Sequence, residues 1–180
     1  MDTLRGKLIL AGPTLKDPNF DRAVVLITEH SEEGAMGLVL NRPSGATVGE
    51  AVPDLSWVAG AGEIVFVGGP VAPNGVIVLA EWDDPAQAIV LVEEDLGFVP
   101  SDAGEALATA IRRARVYAGH AGWGPGQLED ELADEAWIVE TPRREELFGD
   151  DPENLWAVVL RRKGREFALL STMPPDPSLN

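Results

Sequence analysis

Ala23-Val24-Val25-Leu26-Ile27-Thr28-Glu29-His30-Ser31-Glu32-Glu33-Gly34-Ala35-Met36-Gly37-Leu38-Val39-Leu40-Asn41-Arg42-Pro43 is the stretch on which the fold turns. From Ala23 to Thr28 the run is continuously apolar or β-branched, with no polar face. That is the pattern of a strand buried on both sides. Ser31-Glu32-Glu33-Gly34 then reads as a hairpin connection, with Gly34 supplying a positive φ. Met36 to Asn41 returns as the second strand, and Pro43 stops it.

Outward from this hairpin, Leu4 to Ala11 reads as a strand closed by Gly12-Pro13. Asp17-Pro18-Asn19-Phe20 reads as one helical turn, with Asp17 as cap and Pro18 at the first position. Thr47 to Leu55 has the signature of a short helix, Thr47 capping it and Glu50 standing at the third position. Glu63–Val67, Gly75–Trp82, Ala88–Glu93, Arg115–Ala121 and Ala136–Glu140 read as further strands. Between Ser101 and Arg113, helical spacing places Leu107, Ala110, Ile111 and Ala114 on one face, which predicts an amphipathic helix. A short acidic helix is expected from Gln127 to Leu132, a helical turn from Arg143 to Phe148, and a helix from Asp151 to Lys163 stopped by Gly164. Strands and helices mix without a strict βαβ rhythm, so the fold class is α+β rather than doubly wound α/β. The expected organisation is one domain over residues 1–173, followed by a Pro-rich tail at 174–180.

The chain has 180 residues, 45% of them hydrophobic, enough for a sizeable core. It has no cysteine, which excludes disulfides, thiol catalysis and cysteine metal sites. No apolar run approaches the roughly 20 residues of a membrane-spanning helix, and no leader is evident, so a cytoplasmic location is expected. Asp and Glu outnumber Lys and Arg by 30 to 14, for a formal net charge of -16. Nucleic-acid binding draws its affinity from cations that neutralise phosphates, so this balance opposes it.

No nucleotide-binding glycine fingerprint and no GxSxG elbow occurs. Asp17, Asn19, Asp21 and Arg22 crowd one turn, a carboxylate-rich group in principle able to hold a hard cation, though not with EF-hand spacing. Glu29 and His30 close the buried strand, and with His120 they are the acid–base candidates. His30 is expected to be an exposed hairpin residue. Gly122-Trp123-Gly124-Pro125-Gly126-Gln127 reads as a structural loop built to pack the Trp123 ring. Arg112, Arg113 and Arg115, and separately Arg161, Arg162, Lys163 and Arg165, read as helix C-terminal cations. From Glu129 to Glu153 eleven acidic residues face two basic ones, Arg143 and Arg144, a segment read as a solvated face.

Gly6-Lys7-Leu8-Ile9-Leu10-Ala11, Asp17-Pro18-Asn19-Phe20-Asp21-Arg22, Glu29-His30, Gly34 to Pro43, Gly68-Gly69-Pro70-Val71, Ala121-Gly122-Trp123-Gly124-Pro125-Gly126-Gln127-Leu128-Glu129 and the tail Pro175 to Asn180 together resemble the YqgE/AlgH family of bacterial proteins. The resemblance runs through the whole chain. It departs at His120, where the family commonly has Tyr, and at Asp134 and Glu135, where it often has Asn, so His120 is a poor candidate for a shared role. The resemblance implies an α+β fold whose bent mixed sheet forms a partial barrel with helices packed outside. It implies no particular reaction. The leading expectation is a non-catalytic binding or regulatory protein that acts on a protein or small-molecule partner, needs no cofactor or metal, and can form oligomers. Its ligand- or partner-binding residues would be Asp17, Asn19, Arg22, Glu29, His30, Asn41, Trp123 and Gln127. One alternative is a metal-assisted hydrolase using Asp17, Asp21 and Glu29. The other is a transcriptional regulator, a label some members carry, which the charge and the lack of a helix-turn-helix pattern oppose.

Overall fold

A computed structural model describes residues 3–174, so the tail read at 174–180 lies, beyond Pro174, outside the described residues. The residues form two compact units. The first takes the chain up to Arg42 and again from Ala121 onward, and the second is Pro43–His120. In chain order the strands are β1 (Leu8–Ala11), β2 (Val24–Ser31), β3 (Gly34–Val39), β4 (Pro43–Thr47), β5 (Ile64–Val67), β6 (Val71–Trp82), β7 (Val90–Glu93), β8 (Leu96–Phe98), β9 (Ile111–Trp123) and β10 (Trp137–Glu140). The α-helices are α1 (Val48–Ala51), α2 (Ser56–Ala59), α3 (Gln127–Ala133), α4 (Arg144–Leu147), α5 (Leu155–Lys163) and α6 (Arg165–Leu170).

In the first unit the strands run in the order β10-β1-β2-β3-β9, every neighbour antiparallel. The expectation for the opening stretch holds. Ala23 to Ile27 are fully buried, as are Leu8, Ile9 and Leu10 on the adjacent strand. Each Val, Leu or Ile side chain among them contributes on the order of 1.5–3 kcal/mol. Gly34 makes the hairpin with φ +129°, and a Cβ there would sit 2.2 Å from the Trp123 carbonyl oxygen, so no other residue fits. That close approach lets Ala35, Met36 and Gly37 pair with Trp123, Gly122 and Ala121, joining the early and late motifs on neighbouring strands. The β2–β3 ladder shifts register between Ile27 and Glu29, where the buried run ends. On α5, the Trp156 indole N–H donates to the Ala11 carbonyl at 3.0 Å.

In the second unit the order is β9-β6-β8-β7, antiparallel, while β5 pairs in parallel with β9 and antiparallel with β4. Its core gathers Val65, Val78, Ala80, Trp82 and Val116. Thr47 forms the expected capping box: it accepts from the Glu50 N–H at 3.3 Å, and Glu50 accepts from the Thr47 N–H at 2.9 Å. The architecture is α+β with a mixed, open, mainly antiparallel sheet and short helices, the class that was expected.

One element is corrected. Residues 101–113 are not a helix: only Glu105–Ala110 turn, as a 3-10 segment, and β9 begins at Ile111. The apolar spacing did mark core contacts, since Leu107, Ala110, Ile111 and Ala114 all pack on the second core. A turn followed by a strand meets that spacing as well as a helix does, and pairing along β6 decides the outcome. Arg112, Arg113 and Arg115 therefore lie on a strand rather than at a helix end. Arg112 reaches Glu81, Asp83 and Asp95, and Arg113 also holds Glu81.

Candidate functional site

The first unit gathers the candidate residues in two places. At the first, Asp17 caps the Pro18–Phe20 turn, its carboxylate accepting from the Asn19 N–H at 2.9 Å. Asn19 contributes that backbone N–H. Arg22 follows with φ +52°, a left-handed conformation that a long side chain rarely takes. Three hydrogen bonds hold it there. The Asn41 side-chain amide donates to the Arg22 carbonyl at 2.8 Å and accepts from the Val24 N–H at 2.9 Å, and Arg42 donates to the Asp21 carbonyl at 2.8 Å.

The backbone so fixed aims the Arg22 side chain across the end of α5. Its guanidinium carbon stands 5.0 Å from the Trp156 ring centroid, and one Nη donates to the Met173 carbonyl. Beside it lies a cavity of about 180 Å³ lined by Gly12, Leu15, Lys16, Asp21, Arg22 and Trp156, with Leu170 and Met173 on the helical side. Among the described residues neither Arg22 nor Lys16 forms an ion pair, whereas Arg112, Arg113, Arg162 and Lys163 all do.

The second place surrounds His30, which is corrected from exposed: the residue is half-buried and its side chain is only 2% accessible. Its Nδ1 accepts from the Leu4 N–H at 3.0 Å, so the proton of the neutral ring sits on Nε2, which meets Glu129 at 2.9 Å. Glu129's own backbone N–H and the His30 ring hold its carboxyl below the ordinary range, against the opposing effect of burial. Glu29 is exposed beside this pair, in a hollow that also includes Arg5, Ser31, Glu33, Met36 and Trp123. Trp123 is buried, as the flanking glycines implied, stacks on Phe20 and meets Trp137 edge-on. Gln127 accepts from the Gly124 N–H at 3.0 Å and donates to Glu131 at 2.9 Å. One oxygen of Glu131 accepts from both indoles, Trp123 at 2.9 Å and Trp137 at 2.7 Å.

Asp17, Asn19, Arg22 and Asn41 thus share one neighbourhood, and Glu29, His30, Trp123 and Gln127 the other. Asp21 and Glu29, two of the residues considered for a metal-assisted hydrolase, line different hollows, while Asp17 caps a turn. Among the described residues no three His, Asp or Glu side chains are placed to hold a metal ion. His120 stands opposite Val71 on β6 in the second unit. Sequence reasoning missed Lys16, Glu131, Trp137 and Trp156. Glu131 read as one more acid of a helical first turn, and Trp156 meets Arg22 only through the tertiary fold. The acidic run is likewise no uniform solvated face: Glu146 is buried against Arg162, and Glu140 pairs with Arg162 and Lys163.

This combination of fold and motif-lined clusters defines a class. The chain matches the AlgH-like (DUF179) family model over residues 8–168 and belongs to that family. A UPF0301 protein of Streptomyces avermitilis is 44% identical over 187 residues, covering 100% of this chain and 97% of the relative. One from Thermobifida fusca is 39% identical, covering 99% and 96%. The crystal structure of DIP2367 from Corynebacterium diphtheriae superposes with a TM-score of 0.86 at 26% identity, over 96% of this chain and 94% of that one. The solution structure of AlgH from Pseudomonas aeruginosa gives 0.74 at 32% identity, over 98% and 100%. No helix among the described residues is long and apolar enough to cross a membrane.

Proposed function

We propose that this chain is a non-catalytic binding protein whose recognition site is the cavity beside Arg22. The observation that carries this reading is the conformation of Arg22. A non-glycine residue held left-handed costs on the order of 1–3 kcal/mol, and such strain concentrates at sites where a side chain must be aimed. Here Asn41 and Arg42 hold it through hydrogen bonds, and the guanidinium meets the Met173 carbonyl and the Trp156 ring, both on the cavity's lining, rather than a carboxylate.

The acid–base candidates support a non-catalytic reading. His30 has both ring nitrogens engaged, one by a backbone N–H and one by Glu129, and its side chain is shut from solvent. A general base needs a nitrogen within reach of a substrate proton. A cytoplasmic setting and no direct binding to duplex DNA accompany this reading, consistent with the absence of cysteine and the charge of -16.

The test is a solution NMR titration of the full chain with a library of small acids, amines, polyols and nucleotides. The expected outcome is a saturable shift of the Gly12–Arg22 amides and the Trp156 indole with at least one compound, each compound recovered unchanged. Shifts confined to other surfaces, or conversion of a library member into product, would overturn the proposal.

A further inference from the structure

The geometry points to a ligand class: we infer that the Arg22 cavity takes a small monocarboxylic acid with a short aliphatic chain. The inference rests on the binding reading above and adds the chemistry of the occupant. It begins with charge. In a chain of net charge -16, cations are scarce, and several are matched by carboxylates, as where Arg112 and Arg113 hold Glu81 and Arg162 holds Glu146. At this cavity two cations, Arg22 and Lys16, stand without an ion pair among the described residues. An anionic ligand would give them a partner that no ion pair among the described residues supplies.

The form of the anion follows from Arg22. One Nη is committed to the Met173 carbonyl and the guanidinium carbon stands 5.0 Å from the Trp156 ring centroid, which leaves the remaining N–H donors of the fork for a ligand. A planar fork of N–H groups matches a carboxylate through two parallel hydrogen bonds. Exposed Lys16, at the rim, adds a mobile point charge.

The remaining walls set the rest of the molecule. Leu15, Trp156, Leu170 and Met173 offer carbon, and an apolar wall rewards a hydrocarbon chain while leaving further oxygens unpaired. The cavity is small, about 180 Å³, which favours a short chain over a long one. Asp21, also on the lining, repels a second negative charge, so dicarboxylates and phosphate are disfavoured.

The experiment titrates the full chain with 3-methylbutanoate, following the Trp156 indole and Gly12–Arg22 amide resonances, beside 3-methylbutanamide, succinate and inorganic phosphate. The expected result is saturable binding of 3-methylbutanoate, with the amide, succinate and phosphate each weaker by roughly tenfold or more. Arg22→Asn removes the guanidinium at a position where Asn tolerates the left-handed backbone, and it should abolish saturation with the thermal midpoint retained. Should that variant fail to fold, Lys16→Gln at the exposed rim must still weaken the acid while leaving the amide unchanged. Equal binding of acid and amide, or tighter binding of phosphate, overturns the ligand class yet leaves the cavity a binding site. Failure of the acid while another library compound shifts the same resonances does the same. No cavity shift with any compound overturns both readings.

Discussion

Trp123 stands between Gly122 and Gly124, and its burial shows what the absence of side chains on either side permits. The ring packs at 6.0 Å from Trp137 and 6.1 Å from Phe20, and its N–H reaches the carboxylate of Glu131, which also receives the Trp137 N–H. Gln127 donates to the other oxygen of that carboxylate, so the loop, α3 and β10 are tied at one group. Trp123→Ala removes the ring and one of those donors, and should cost about 3–5 kcal/mol in urea unfolding. A shift equivalent to less than about 1 kcal/mol would mean the ring is not structural and would turn attention to it as a ligand contact. Glu131→Ala tests the carboxylate itself. It strands two largely buried indole N–H groups, and the expected loss is about 1–3 kcal/mol. An unchanged midpoint would mean that water replaces the carboxylate without cost.

Strand β9 carries the element-scale lesson. Its residues Arg112 and Arg113 meet Glu81 on β6, where burial pushes the Glu81 carboxyl up but the hydrogen bonds and charges of Arg113 and Arg112 outweigh it and hold it below the ordinary range. A carboxylate lowered in the folded state adds stability above its unfolded value, about 4.3, and that contribution is lost as the pH falls through the folded value. The stability gap between wild type and Glu81→Gln should therefore be widest near neutrality and shrink below about pH 4 in thermal melts. A gap constant from neutral to acid pH would show that the ion pairs contribute nothing. None of this network was legible in the sequence, because the segment reads as a helix until β6 is there to pair with it. The β2–β3 hairpin was legible: continuous burial, polar turn and Gly34 all point one way, and no distant partner is needed to decide it. The candidate site divides along the same line. Asp17 as cap and Trp123 as packed ring follow from neighbours in sequence. The Arg22 cavity requires Trp156 and Met173, which only the fold brings near, and the His30 side chain is buried because Leu4 and Glu129 close over it.

At the scale of the molecule, the charge of -16 acts in two ways. Inside, several acids are structural: Glu81 and Glu146 are buried against arginines, Glu131 binds two indoles, and Glu129 caps His30. Outside, the excess negative charge repels any polyanion, and some of the basic residues that would offset it are engaged, Arg112 and Arg113 with Glu81 and Arg162 and Lys163 with Glu140. Affinity for duplex DNA comes chiefly from releasing counterions as cations cover phosphates, and a protein with 14 basic against 30 acidic residues has few to offer. The isolated protein should therefore show no specific duplex binding in a fluorescence-anisotropy titration at roughly physiological salt, with promoter and random sequences alike. Lowering the salt should not rescue binding, because weaker screening lengthens the reach of the repulsion as well as of any attraction. Sub-micromolar, sequence-dependent binding would require a cationic surface strong enough to overcome this balance, and would sink the prediction.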